Sequence, residues 1–106
     1  MSSLRIALED RYCAHNYEPL PVVLSKGRGI WLWDEDGKRY MDMMSAYSAV
    51  SFGHSHPQLV EALTRQAGQL AVTSRAFYTD QLGRFLQLLC EMTGMDKALP
   101  MNSGTE

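Results

Sequence analysis

No run of apolar residues in this sequence approaches the length of a membrane-spanning helix, which needs about 20 in succession. The opening Met1-Ser2-Ser3-Leu4 is not followed by the hydrophobic stretch of a signal peptide. Basic residues are few, with 10 Lys and Arg against 12 Asp and Glu. The formal charge of -2 and the lack of a basic block leave no electrostatic footprint for nucleic acid. Cysteine is scarce too. Cys13 and Cys90 sit in no Cys-x-x-Cys spacing, which argues against a disulfide framework and for buried thiols in a reducing compartment. Neither an internal repeat nor a low-complexity tract is present. What remains is an ordinary globular balance, 45% hydrophobic and 21% charged, in 106 residues, enough for one domain with a single core. The expectation is a cytoplasmic protein with no membrane or nucleic-acid partner.

Hydrophobic spacing organises the chain. Leu4, Ala7 and Leu8 predict a short helix from Ser3 to about Ala14. The prolines of "HNYEPLP" (His15 to Pro21) then impose an extended connector. In "RGIWLWDEDGKRYMDMM", β-prone residues flank Asp36-Gly37, which supplies the positive φ of a tight turn. Strands at 29–34 and 38–43 follow. "SAYSAVSFGHSHP" reads as loop, with Pro57 placed to open a helix. Leu59, Val60, Leu63, Ala67 and Leu70 stripe that helix. After "TSRAFYTD", Thr79 or Asp80 caps a further helix with a buried face of Leu82, Phe85, Leu86, Leu89 and Met92, closed by Gly94. A short strand is predicted around Lys97–Pro100. One hairpin and one further strand make a poor sheet for this many amphipathic helices, so the sequence reads as the front end of a larger α/β protein.

Chemistry concentrates in three places. In "LPMNSGTE", Ser103 and Glu106 fit a capping box, and Gly104 and Thr105 would offer N–H groups to an anion at a helix start. An ordinary capped helix needs the same residues, so the motif alone leaves both uses open. His54 and His56 alternate along "GHSHP", yet a closed zinc site needs two further ligands that no Cys/His cluster supplies. They are expected to fix the loop and cap the Pro57 helix rather than hold a metal. Tyr12, Tyr17, Tyr47, Phe52, Phe77 and Tyr78 crowd the non-helical segments, where aromatics either line pockets or anchor loops. Lys26, Lys38 and Lys97 all sit in wet contexts that would not lower an amine pKa for covalent catalysis.

Taken in order, "HNYEPLPVVLSKGRGIWLWDEDGKRYMDMMSAYSAVSFGHSHPQLVEAL", "TSRAFYTDQLG" and "LPMNSGTE" resemble the N-terminal portion of the ornithine aminotransferases, pyridoxal-phosphate enzymes of class III. The resemblance runs from about His15 to Glu106. Class III enzymes share the WD-x-x-G hairpin, the GH-x-HP segment and an Asn-x-Gly turn. The Ala46–Val50 stretch and the Tyr17 segment point to the ornithine branch over the acetylornithine and 4-aminobutyrate branches.

The resemblance implies an α/β chain, the N-terminal portion of a fold-type I pyridoxal-phosphate-dependent transferase: a β-hairpin plus amphipathic helices, incomplete as a domain. Residues 1–52 would form an N-terminal segment within the small domain, and residues 53–106 the truncated start of the large cofactor-binding domain. The implied reaction moves the δ-amino group of ornithine to 2-oxoglutarate, giving glutamate semialdehyde and glutamate, in a homodimer with active sites at its interface. By motif position, Ser103, Gly104 and Thr105 would hold the phosphate of pyridoxal 5'-phosphate. Tyr17 and Tyr47 would hold the α-carboxylate and α-amino end of the substrate, and the Thr73–Tyr78 loop would lie near the site or the dimer interface. No metal is implied. In the family the covalent lysine, the acidic partner of the pyridine nitrogen and the carboxylate-binding arginine all lie downstream of this turn. No catalytic residue is therefore expected in these residues, and the chain by itself is expected to be inactive. The alternatives are another class III ω-aminotransferase, or a non-catalytic truncated chain that self-associates through its apolar helix faces.

Overall fold

A computed structural model describes residues 2–106. Two compact units divide the chain, one running to Gln69 and the other from Leu70. The first holds α1 (Ser2–Tyr12), β1 (Leu24–Arg28), β2 (Trp31–Asp34), β3 (Arg39–Met41), the single turn α2 (Ser45–Ser48) and α3 (Pro57–Gln69); the second holds α4 (Leu82–Thr93).

Asp34 organises the hairpin. One carboxylate oxygen accepts the N–H groups of Asp36 and Lys38 at 3.0 and 2.8 Å, and the other accepts the Tyr40 hydroxyl at 2.8 Å. The Tyr40 bond, and after it the two backbone bonds, hold the Asp34 carboxyl below its ordinary range. Gly37 sits at φ 84° in the turn, as Asp-Gly predicts. The sequence missed a third strand. β1 pairs antiparallel with β2 on the side opposite β3, with an irregularity between Leu24 and Lys26, giving the sheet order β1-β2-β3. "LSKGR" lacks the alternation of a half-buried strand, and its pairing is set by β2 rather than by its own residues. Cations cover the half-buried tryptophan rings of β2, Lys26 over Trp33 and Arg39 over Trp31. Arg5 of α1 pairs with Glu35 in the hairpin turn.

The helices begin and end by local rules. Pro57 opens α3, and the His56 ring accepts the Gln58 N–H at 3.3 Å, the capping role expected of it. Thr79 Oγ1 accepts the Leu82 N–H at 3.3 Å before α4. Gly94 ends α4 at φ 71°, with its N–H on the Cys90 carbonyl at 2.8 Å.

Three expectations need correction. Lys97–Pro100 forms no strand, because its own unit holds no strand to pair with it and Pro100 lacks a donor. The apolar stripes of α3 and α4 are not buried: among the described residues no side chain is. Amphipathic spacing specifies a face for packing, and within its own unit neither helix meets another element. The two free cysteines are not buried either, Cys13 being exposed and Cys90 half-exposed.

Candidate functional site

Two of the residues singled out above are brought together in the first unit. The phenolic oxygens of Tyr17 and Tyr47 stand 3.1 Å apart, although 30 positions separate them. Tyr17 rides on the proline-bounded connector after α1, along a cleft of about 850 Å³ whose walls include Arg5, Asp10 and Glu18. Tyr47 comes from α2. The hydrogen bond with Tyr17, and after it desolvation, raises the Tyr47 pKa, so its phenol stays neutral and able to donate. Both side chains remain largely open, 71% and 78% exposed, so a ligand can reach the hydroxyls.

The backbone beneath Tyr47 is unusual. Ser45, Ala46, Tyr47 and Ser48 all have positive φ, between 46° and 73°. Four successive left-handed residues without a glycine are costly, at roughly 1–2 kcal/mol each. The carboxylate of Asp42 offsets part of that cost. Its Oδ1 accepts the N–H groups of Met44 and Ser45, both at 2.9 Å, and its Oδ2 accepts the Nε2–H of His54 at 2.6 Å. The Ser45 bond first, then His54 and Met44, lowers the Asp42 pKa and keeps the carboxylate charged. His54 is itself tied to the sheet, because its backbone exchanges two hydrogen bonds with Gly29, at 2.8 and 3.0 Å. The sequence reading assigned His54 to the loop but missed Asp42 and the left-handed turn. A carboxylate with a small polar residue three positions on, Asp42-Met43-Met44-Ser45, is the local signal that could have found it.

In the second unit the capping box forms. Glu106 Oε2 accepts the N–H groups of Asn102 and Ser103 at 2.7 and 2.8 Å, and the Glu106 N–H reaches Ser103 Oγ at 3.4 Å. The N–H groups of Gly104 and Thr105 take part in none of these bonds. A Cβ on Gly104 would meet nothing within 4 Å, so the turn is open to a ligand on that side. The donor set suits a phosphate, and the Glu106 carboxylate is turned onto the preceding two amides. In the Thr73–Tyr78 loop, Ser74 closes a short turn through Ala76 and Phe77, and Tyr78 is 98% exposed.

Comparison with known proteins identifies what this arrangement belongs to. The family model for aminotransferase class-III matches residues 12–106. The chain belongs to the class-III aminotransferases. It is 57% identical to the mitochondrial ornithine aminotransferase of Drosophila ananassae over 106 residues, all of this chain and 24% of that protein. It is 54% identical to the ornithine aminotransferase of Geobacillus sp. (strain WCH70) over 101 residues, 95% of this chain and 25% of that protein. The chain therefore spans about a quarter of the length of the relatives it matches. Among solved class-III structures, the acetylornithine aminotransferase of Elizabethkingia anophelis superposes with a TM-score of 0.95 at 57% identity, covering 98% of this chain and 27% of that one. The ornithine delta-aminotransferase of Plasmodium falciparum does so with a TM-score of 0.93 at 44% identity, over 98% and 27%. The small sheet and flanking helices are thus an N-terminal part of the class-III aminotransferase fold.

Proposed function

We propose that this chain supplies the N-terminal part of an ornithine δ-aminotransferase, in which Tyr17 and Tyr47 hold the α-carboxylate and α-amino end of ornithine. The convergence of their hydroxyls at 3.1 Å carries the reading. Two phenols on one point can hydrogen-bond the polar end of a small amino acid while their rings stack along its chain. Fixing that end leaves the δ-amine to project toward the reacting centre, which is how position rather than chemistry selects the amino group. Ser103, Gly104 and Thr105 would hold the phosphate of pyridoxal 5'-phosphate on the open side of the capped turn. When bound, that cofactor would supply both the electron sink and the carrier needed to move an amino group from ornithine to 2-oxoglutarate.

The rest of the proposal follows the family resemblance. Residues 1–52 belong to a small domain, residues 53–106 open the cofactor-binding domain, and the whole enzyme is a cytoplasmic homodimer. Among the described residues no helix is long and apolar enough to cross a membrane, while the fly relative is named mitochondrial. No residue of this chain is assigned covalent or proton-transfer chemistry, so the 106 residues alone are proposed to be inactive.

A second reading has one specific observation behind it. The Elizabethkingia structure, 57% identical, is named for acetylornithine. An acetylated α-amine cannot donate as an ammonium group does, so the tyrosine pair separates the two substrates. The test is made in a full-length aminotransferase carrying residues 1–106. Tyr47→Ile is expected to lower kcat/KM for ornithine by about 10–100-fold, the loss of a hydrogen bond to a charged group, and to relax substrate choice. Unchanged ornithine preference, or better turnover of acetylornithine by the unaltered enzyme, would overturn the ornithine reading.

A further inference from the structure

We propose that Asp42 and His54 are positioning residues for substrate selection, acting through the left-handed turn that carries Tyr47. The inference rests on the reading of Tyr47 as a substrate-binding group. Within these residues, side-chain packing does not hold the turn. Met43, Met44 and Tyr47 are all exposed, and a cavity of about 260 Å³ lies against Ser45 and Ser48. Its own backbone bonds are short-range, Tyr47 N–H to Met44 at 3.1 Å and Val50 N–H to Ser45 at 3.0 Å, and they close the turn without fixing where it points. Asp42 follows β3 with its N–H on the Ile30 carbonyl at 2.8 Å, and the side-chain link from there into the turn runs through its carboxylate. Gly29 fixes the His54 backbone, the His54 ring meets Asp42 Oδ2, and Asp42 Oδ1 takes the two amides at the entrance of the turn. Without that clamp the left-handed run has every reason to relax toward ordinary backbone values, which would carry the Tyr47 hydroxyl away from Tyr17. Strain held at a site by a dedicated polar network is what preorganised binding requires.

The test is a double-mutant cycle in a full-length aminotransferase carrying residues 1–106. Asp42→Ala is expected to raise the KM for ornithine about tenfold, while cofactor absorbance and the KM for 2-oxoglutarate change less than about twofold. Combined with Tyr47→Phe it should add little, because both changes remove the same placed hydroxyl. Asp42→Asn, which keeps a carbonyl oxygen for Met44 and Ser45, should recover most of the loss. Should Asp42→Ala fail to fold, His54→Ala runs the same cycle under the same criteria. Additive losses, or equal losses for both substrates, overturn the inference. A Tyr47→Phe defect with a silent Asp42→Ala overturns it while leaving the role of Tyr47 standing. An ornithine KM unmoved by Tyr47→Phe overturns both.

Discussion

Gly27 of β1 and His54 stand so close that a Cβ on the glycine would lie 2.8 Å from the Cβ of the histidine and 3.2 Å from Leu32 Cδ2. The loop carrying His54 crosses the sheet here, alongside its backbone bridge to Gly29. The contact sets how near the Asp42–His54 pair can sit to the strands. Gly27→Ala is expected to push the loop off the sheet and destabilise the protein by about 1–3 kcal/mol, the range for an overpacked site. Thermal unfolding of a full-length aminotransferase carrying residues 1–106 measures it; an unchanged Tm would mean that the loop yields at no cost.

Two tyrosines should titrate late, for different reasons. The Tyr40 pKa is raised first by its hydrogen bond to Asp34, and that of Tyr47 first by its bond with Tyr17. In each case the neutral phenol is the favoured form, so removing the partner lets the pKa fall toward the ordinary tyrosine value. With ring-labelled tyrosine followed by NMR in the full-length protein, Tyr17→Phe should bring down the Tyr47 midpoint and leave Tyr40 in place. Asp34→Ala should do the reverse. A Tyr47 midpoint indifferent to Tyr17 would mean that the two hydroxyls do not pair in solution.

Asp42 gives the fold an acid-sensitive point. Its folded pKa is depressed, by the Ser45 amide first, so the unfolded chain binds its proton more readily than the folded one. The stability it contributes is therefore present above the unfolded aspartate value and is lost as pH falls through the depressed folded value. The advantage of the unaltered protein over Asp42→Asn should be full at neutral pH and shrink below about pH 4, the ordinary aspartate range. Denaturant midpoints of the two proteins across that interval test it. A constant difference would show that the charge of Asp42 contributes nothing beyond its shape.

Local chemistry explains which parts of this fold could be read in advance. Asp36-Gly37 can serve only a tight turn between such strands, Pro57 suits the start of a helix, and Gly94 suits its end, so hairpin, α3 and α4 were legible. β1 was not, because Leu24–Arg28 is a strand only by virtue of its register against Trp31–Asp34. Lys97–Pro100 failed for the opposite reason, having no strand in its unit to pair with and a proline that lacks a donor. Only the Asp42–Ser45 spacing marks the left-handed turn locally, and the rest of its support arrives from His54, 12 positions beyond Asp42. The pairing of Tyr17 with Tyr47 was likewise beyond local rules. The role proposed for them came from family resemblance, and their proximity from the folded chain.

The exposed helix faces bear on what the 106 residues do alone. Leu59 and Leu63 of α3, and Phe85, Leu88 and Met92 of α4, are each at least half exposed, and no described side chain is buried. Hydrophobic burial is the main term opposing chain entropy, so a chain with no fully buried side chain has little to set against the ordering of its backbone. Made by itself, this chain is expected to bind a hydrophobic dye such as ANS, to unfold over a broad range without a cooperative transition, and to self-associate as concentration rises. It should also turn over no ornithine. Dye binding, urea denaturation and sedimentation across a concentration series test these together. A sharp two-state transition from a monomer that binds no dye would mean that sheet and helices find a packing of their own, and that the apolar stripes serve this chain rather than a covering structure.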